Sequence, residues 1–580
     1  GYTVSIQVMV VANLFLAGLS AVRAAEGRRL VPWLASASIL ALILIPPNPP
    51  WELLRNTPLS AHSLGGKLTY FGVGRSSTVM LRDRQGRWYL STNGLPESVI
   101  LPPGGLTAFS TASQWLTNAA ILARPEMRSL LLVGLGGGVT LENIPDTVRE
   151  IDVIEIEPEV VLANRAVGKQ RSRDPLADPR VRLTINDVRS ALLLSQTHYD
   201  AIISQPSHPW TAGASHLYTR EFFGLARDHL TESGVFVQWL GLGYIDADLL
   251  RILVATLLDA FTHVRVYQPT PGDLLLLASE QPLDLTGRVN DALKAAPHNL
   301  ARLGISGPED IAATWLLDTD SARHFAAGAP LNTDDHNHLQ ARSPRLARGG
   351  AKKTRIADAA SSYDLFSSIP DDWNAVYLTR RTAALGFPDR AQRIAEAIPD
   401  SEQQRLAQGL VAYSLGDWNS AIQLLEQSLA ADPNLAEAHI ALWRMGRKTN
   451  PPAASASSNI AALMEGWELR RKGDWTGLRQ MDFRLAASNP HDPEFFDASE
   501  LRAQWRVEVG DEEHAREALR LIDQMGPLIG GPSILLTRAR AAVLAHHNRG
   551  ALQTLFELSF VLKPNRGQDR RIAKRAISLL

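Results

Sequence analysis

Between about residues 110 and 280 the chain alternates short apolar runs with helical patterns, and this alternation restricts its fold more than any other feature. The runs fall at Leu130–Val133, Ile151–Ile154, Val181–Ile185, Ala201–Ser204, Val235–Trp239 and Leu274–Ala278. Helical stretches such as Pro158–Gly168 and Arg220–Leu230 separate several of them. Short runs without polar alternation suit strands covered on both faces. Strand–helix–strand order then predicts an α/β fold, a parallel sheet with helices on both sides. A further run at Val264–Tyr267 predicts a terminal antiparallel pair.

The strand ends carry the chemistry. The first run leads into Gly134-Leu135-Gly136-Gly137-Gly138, where glycines allow a tight turn and close backbone approach to a ligand. A dinucleotide fold offers the same turn, so the next strands decide. The second ends in Glu155-Ile156-Glu157-Pro158, about 20 residues on, where an acid can accept hydrogen bonds from ribose hydroxyls. The third ends in Asn186-Asp187, a second acid on the same crevice that could meet an adenine amino group. Gly, acid and acid on successive strand ends suit a nucleoside–methionine cosubstrate better than NAD. The bland alternative is that these acids only cap the helices that follow.

The flanks differ in kind. Apolar runs at Ile6–Val22 and Leu30–Ile45, the second stopped by Pro46-Pro47, predict two transmembrane helices within residues 1–50 and an integral membrane protein. The basic link Arg23 to Arg29 would stay cytoplasmic, although the side on which the later domains lie stays open. A chain that starts at Gly1 rather than Met is expected to be processed or part of something longer. Residues 60–105 read as β-rich, with a hairpin around the turn Asp83 to Gly86. The small-residue, basic stretch Arg342–Lys353 predicts a linker over 346–365. From 366 to 580 the pattern becomes helical and repetitive. Gly409, Gly416, Ala421 and Pro433 set a spacing that returns at Gly466, Gly473 and Pro490, and again at Ala503, Gly510, Ala515 and Pro527, with a looser copy ending at Pro564. Small residues at helix crossings, Gly at turns and Pro at helix ends predict tetratricopeptide-like repeats, whose concave face would bind a protein or peptide partner.

Composition removes several classes. No cysteine occurs among the 580 residues, which excludes disulfides, thiolate zinc sites, iron–sulfur clusters and a Cys nucleophile. Lys plus Arg number 59 against 60 for Asp plus Glu, so no net field recruits nucleic acid. The cluster Asp334-Asp335-His336-Asn337-His338 holds possible metal ligands, but nothing elsewhere completes a site, and no metal is expected. His546-His547, Arg470 to Lys472 and Arg570-Arg571 read as solvated.

Over residues 64–345 the chain resembles the spermidine synthase (polyamine aminopropyltransferase) family. The β-hairpin region, the Gly134–Gly138 loop, Glu155 to Pro158 and Tyr199 to Ser204 carry the likeness. Ser204 to Trp210, Ala212-Gly213, Leu217 to Phe222 and Leu331 to Asp335 resemble its membrane-fused branch. The resemblance implies a small β region followed by a Rossmann-like, methyltransferase-type sheet. It implies that Gly134, Gly136 and Gly138 line the methionine end of S-adenosylmethionine or its decarboxylated form, that Glu155 holds the ribose and that Asp187 meets the adenine.

On the acceptor side the sequence departs from the family. Gln205 and His208 stand where the family places acids that keep an attacking amine neutral and aimed, and they become the catalytic candidates. An amide can orient an amine but cannot take its proton, whereas a histidine can. The loop acid is replaced near Gly137, the Tyr-His-Glu segment falls near Ala112-Ser113-Gln114, and Trp210 reads as pocket wall. Two readings follow. The first is a membrane-anchored transferase with a nucleoside donor and an acceptor other than ordinary putrescine. The second is a degenerate synthase fold that binds a nucleoside or acts as a scaffold through its repeats.

Overall fold

The computed structural model describes residues 2–23, 66–84, 86–103, 111–208, 213–348, 369–449, 458–487, 495–524, 531–562 and 567–579. The first apolar run forms the helix Tyr2–Arg23. No helix among the described residues is long and apolar enough to cross a membrane, which contradicts the expected transmembrane helices and integral membrane location. Asn13 and Ser20 interrupt the apolar sequence of Tyr2–Arg23, and Asn13 turns its amide back onto the Met9 carbonyl at 2.9 Å. The second run, Leu30–Ile45, lies outside the described residues.

The hairpin expected around Asp83 is the centre of a four-stranded antiparallel meander. It comprises β1 (Lys67–Val73), β2 (Thr78–Arg84), β3 (Arg87–Thr92) and β4 (Leu95–Ile100), with Arg84 paired to Arg87 across the turn. The second sheet has eight strands. They are β5 (Ser129–Val133), β6 (Glu150–Glu155), β7 (Val181–Ile185), β8 (Tyr199–Ser204), β9 (Leu230–Gly241), β10 (His263–Thr270), β11 (Asp273–Ser279) and β12 (Trp315–Leu317). Their order is β12-β10-β11-β9-β8-β5-β6-β7. Strands β5 to β9 run parallel, and β11 is antiparallel to both β9 and β10. This is a Rossmann-like sheet of methyltransferase type.

The central strands are apolar because both of their faces are covered. Leu130, Leu132, Ala201 and Ile203 point into one core with the helix Ala112–Ala123, while Leu131, Ile202 and Phe236 point into another with the helix Ala247–Ala260. Strand order reverses at β5, whose neighbours are β6 on one side and β8 on the other. A crevice opens at the carboxyl ends of strands where that reversal occurs. The first sheet lies over this crevice, tied down by Glu157, whose carboxylate accepts the Ser76 and Ser77 backbone N–H groups at 2.9 and 3.0 Å.

The C-terminal part is a helical array. Gly409 lies where the helices Ser401–Leu415 and Trp418–Ala431 cross, since a Cβ there would sit 2.9 Å from Leu425. Gly466 meets Leu501 in the same way, and Gly416, Gly473 and Gly510 turn the chain at positive φ. Pro490, Pro527 and Pro564 lie outside the described residues. Arg470, expected on a solvated face, instead stacks on Trp467 at 4.5 Å and bonds Gln504.

The array is not appended loosely. Leu378, Leu385, Phe387 and Ile394 share one core with Ala312 and Ala313 of the sheet domain. Beside them the buried Arg381 pairs with the buried Asp310 at 3.0 Å.

Candidate active site

The glycine loop owes its path to three residues at positive φ: Gly134 (85°), Gly136 (52°) and Gly138 (70°). A Cβ on Gly134 would stand 2.9 Å from the Gln205 carbonyl, so this glycine lets β5 and β8 close together. A Cβ on Gly136 would meet nothing within 4 Å, because this residue faces open cavity. Gly138 packs downward toward Asn164, Pro175 and Arg171, and unlike Gly134 and Gly136 it lines neither of the cavities described below. Asn164 and Arg171 hold the loop from beneath by donating to the Gly136 and Gly137 carbonyls at 2.7 and 2.9 Å. A side chain at Gly137 would collide with Ser98 of β4, which accounts for the missing loop acid.

Above the loop lies a cavity of about 740 Å³, lined by Gly134, Gly136, Glu155, Asp187 and Gln205 among others. Glu155 ends β6 and is 6% exposed. Its carboxylate accepts the Leu135 and Glu157 backbone N–H groups at 2.8 and 2.9 Å. Burial pushes this carboxyl up, against the pull of those two N–H groups. Asp187 caps the helix Val188–Leu193 by accepting the Ser190 N–H at 2.9 Å while also facing the cavity. It therefore takes the capping role posed as the alternative and lines the cavity as well.

Opposite stands Asp334, bound to Arg189 at 2.5 Å and to the Thr219 hydroxyl at 2.9 Å. The Arg189 guanidinium holds the Asp334 carboxyl down at about 2. Glu157 is pushed up by burial, but the Ser76 and Ser77 donors outweigh that and hold it below the usual carboxylate range. Among the described residues no group of three or more His, Asp or Glu side chains could hold a metal.

A second chamber of about 300 Å³ adjoins the first. The two share Leu90, Glu97, Gly136, Gln205 and Pro206. Gln205 thus stands at the junction, but its amide is committed to the loop: Nε2 donates to the Gly134 carbonyl at 2.8 Å, and Oε1 accepts the Thr140 hydroxyl at 2.5 Å. His208 lines neither chamber. It is 6% exposed, and its Nε2 lies 3.0 Å from the Pro96 carbonyl of β4. Of the segment at Ala112, Ala112 and Ser113 line the second chamber, whereas Gln114 turns back to accept the Thr111 N–H at 2.9 Å in a capping box. Trp210 lies outside the described residues.

Two carboxylates in the second chamber were not singled out from the sequence. Glu97 comes from β4 and accepts the Thr92 and Ser207 hydroxyls. Asp273 opens β11 and accepts the Trp239 indole N–H at 2.9 Å and the Thr270 hydroxyl at 2.7 Å. No Lys, Arg or His stands among the described residues that line this chamber. The only available signal was local: Glu97 sits in a polar strand after the turn Asn93-Gly94, and Asp273 follows Pro271-Gly272. Neither pattern marks a site without the fold that joins them.

Residues 110–269 match the Spermine/spermidine synthase domain. A polyamine aminopropyltransferase of Synechococcus sp. (strain JA-3-3Ab) is 32% identical over 165 residues, which cover 27% of this chain and 53% of that protein. Polyamine aminopropyltransferase 2 of Pseudomonas aeruginosa is 32% identical over 174 residues, 28% of this chain and 50% of that one. The chain spans about half the length of these curated relatives. The crystal structure of spermidine synthase from Thermotoga maritima superposes with a TM-score of 0.36 at 20% identity, covering 45% of this chain and 87% of that one. The matched region of this chain is thus similar to spermidine synthase, with a large part of the chain lying outside the likeness.

Proposed function

We propose that this chain is a transferase that takes an aminopropyl group from a nucleoside sulfonium donor and passes it to an amine. The observation that carries the reading is the pair of chambers meeting at Gly136, Gln205 and Glu97, one lined by the strand-end acids and the other by Glu97 and Asp273. In this reading the larger chamber takes the nucleoside. Glu155 accepts the ribose hydroxyls, Asp187 the adenine amino group, and Gly134 and Gly136 let the sulfonium end reach the junction. Decarboxylated S-adenosylmethionine suits that junction better than S-adenosylmethionine. Glu97 would repel a carboxylate there, and Arg189, the guanidinium lining the larger chamber, is already paired with Asp334.

The second chamber, with two carboxylates and no lining cation, favours a positively charged acceptor. One amine must be neutral to react. Its lone pair attacks the methylene carbon beside sulfur as the carbon–sulfur bond breaks. That bond's electron pair neutralises the sulfonium, and methylthioadenosine leaves. The new ammonium then gives up a proton, and Glu97 is the carboxylate at the junction able to take it. Gln205 serves by fixing the glycine loop, and His208 by fixing β4. Holding donor and acceptor in adjoining chambers supplies most of the advantage, as a near-attack arrangement does in general.

The spacing of the helices beyond Ser401 supports tetratricopeptide-like units, and a protein or peptide partner is proposed for them. The transfer is tested by incubating the full chain with decarboxylated S-adenosylmethionine and a panel of mono-, di- and triamines. Methylthioadenosine and an aminopropylated amine should appear together, and both should be lost in Glu97→Gln. Methylthioadenosine formed at the same rate by wild type and Glu97→Gln would remove Glu97 from the reaction.

A further inference from the structure

The hairpin β10–β11 contributes to one chamber only. Asp273 lines the second chamber, and no residue from His263 to Ser279 lines the larger one. The back of this hairpin is gripped by the helical array at two points. Gly386, at the turn between the helices Ala375–Ala384 and Pro388–Glu396, lies so close to the hairpin turn that a Cβ there would stand 3.1 Å from Pro271. Arg390 reaches the strand itself. It is 5% exposed, donates to the Gln268 side-chain carbonyl at 2.9 Å and to the Ala313 carbonyl at 3.2 Å, and lies over the Phe387 ring at 4.5 Å.

These partners are all neutral. A buried guanidinium without a carboxylate is costly, and burial lowers this one to about 10. A neutral side chain of similar size would fill the space without that cost, so stability alone does not account for Arg390. Geometry supplies an account. Gln268 precedes Thr270 by two residues, and the Thr270 hydroxyl holds the Asp273 carboxylate at 2.7 Å. The contacts therefore run from the array through β10 to the carboxylate facing the second chamber.

We propose that Arg390 is a positioning residue for the acceptor: through Gln268 and the Thr270–Asp273 turn, the helical array sets the carboxylate that receives the amine. The inference rests on the amine reading of the second chamber and adds to it that the array controls amine affinity without touching the nucleoside.

The test uses the full chain, with methylthioadenosine as the nucleoside probe and 1,4-diaminobutane as the amine probe. Arg390→Leu and Gln268→Leu are compared with wild type, so that one variant remains if the other fails to fold. Each variant should bind methylthioadenosine as wild type does. In the presence of saturating methylthioadenosine, each should bind the diamine about tenfold more weakly, the effect of losing one charge-assisted hydrogen bond. Amide exchange should quicken in the peptide covering 268–275 and stay unchanged in β5 and β8. Asp273→Asn should also weaken the diamine, and adding Arg390→Leu to it should cost little more, because both act on one carboxylate.

A parallel loss of both ligands would mark Arg390 as merely structural and overturn the proposal, as would unchanged diamine binding with unchanged exchange. If wild type binds the nucleoside but no diamine, the amine reading itself fails. Exchange in 268–275 then still decides the coupling, and an unchanged rate there would refute it.

Discussion

The ribose assignment can be tested at a single atom pair. Glu155→Gln keeps the side chain's size but leaves one acceptor oxygen for the Leu135 and Glu157 N–H groups, which the carboxylate now takes on separate oxygens at 2.8 and 2.9 Å. The amide NH₂ must then face a backbone N–H or the ligand's hydroxyls, and either way acceptors are lost. Charge-assisted hydrogen bonds contribute about 1.5–3 kcal/mol each, so losing one acceptor oxygen should cost about 1.5–3 kcal/mol. At about 1.4 kcal/mol per factor of ten, methylthioadenosine affinity should fall roughly 10- to 100-fold. Isothermal titration calorimetry reads the affinity, and a thermal melt confirms that the variant is folded. A folded variant within about threefold of wild-type affinity would refute the assignment, that factor being worth less than about 1 kcal/mol. The same residue sets a pH dependence. Burial holds the Glu155 carboxyl above the ordinary range, and only its ionised form accepts on both oxygens. Nucleoside affinity should therefore decline, as pH falls, at a higher pH than an ordinary carboxylate would give, and Glu155→Gln should abolish that decline.

Three further outcomes follow from other parts of the structure. Gly136→Ala should fold, at about 1 kcal/mol for an alanine at positive φ. Its methyl enters the space shared by both chambers, so calorimetry should show weakened nucleoside binding. Arg381→Ala leaves Asp310 buried without its cation, and chemical denaturation should show a loss of about 3–5 kcal/mol. Asp334→Asn should cost about 1–2 kcal/mol at neutral pH, once solvent screening of this partly exposed pair is allowed for. Because the Asp334 carboxyl is depressed from 3.8 to about 2, its contribution is full above pH 4 or so and vanishes as pH falls through about 2. Denaturation curves of wild type and Asp334→Asn should converge there.

The strands of the second sheet were legible because burial on both faces writes them as plain apolar runs, as in Leu130 to Val133 and Ala201 to Ser204. Glu155 and Asp187 were legible because strand ends at a sheet reversal have a fixed place. Gln205 and His208 were legible as positions and not as orientations. Whether a side chain faces the cavity depends on partners distant in sequence: His208 meets Pro96 and Gln205 meets Thr140. Glu97 and Asp273 lie 176 residues apart by number and converge only because the meander folds over the crevice and β11 runs antiparallel beside β9. The membrane expectation rested on the length of two apolar runs; no helix among the described residues is long and apolar enough to cross a membrane, and the second run lies outside them. The linker expected over 346–365 lies almost wholly outside the described residues, and the contacts that Arg381, Phe387 and Arg390 make with the sheet domain have no signal in composition.

The central claim is transfer across the junction of two chambers. It is tested most directly by mass spectrometry of the full chain incubated with decarboxylated S-adenosylmethionine and the amine panel, with donor binding established beforehand by calorimetry. The account predicts methylthioadenosine and an aminopropylated amine in equal amounts, formed only when an amine is present. Donor bound, with methylthioadenosine no higher than in a protein-free control for every amine, would contradict it.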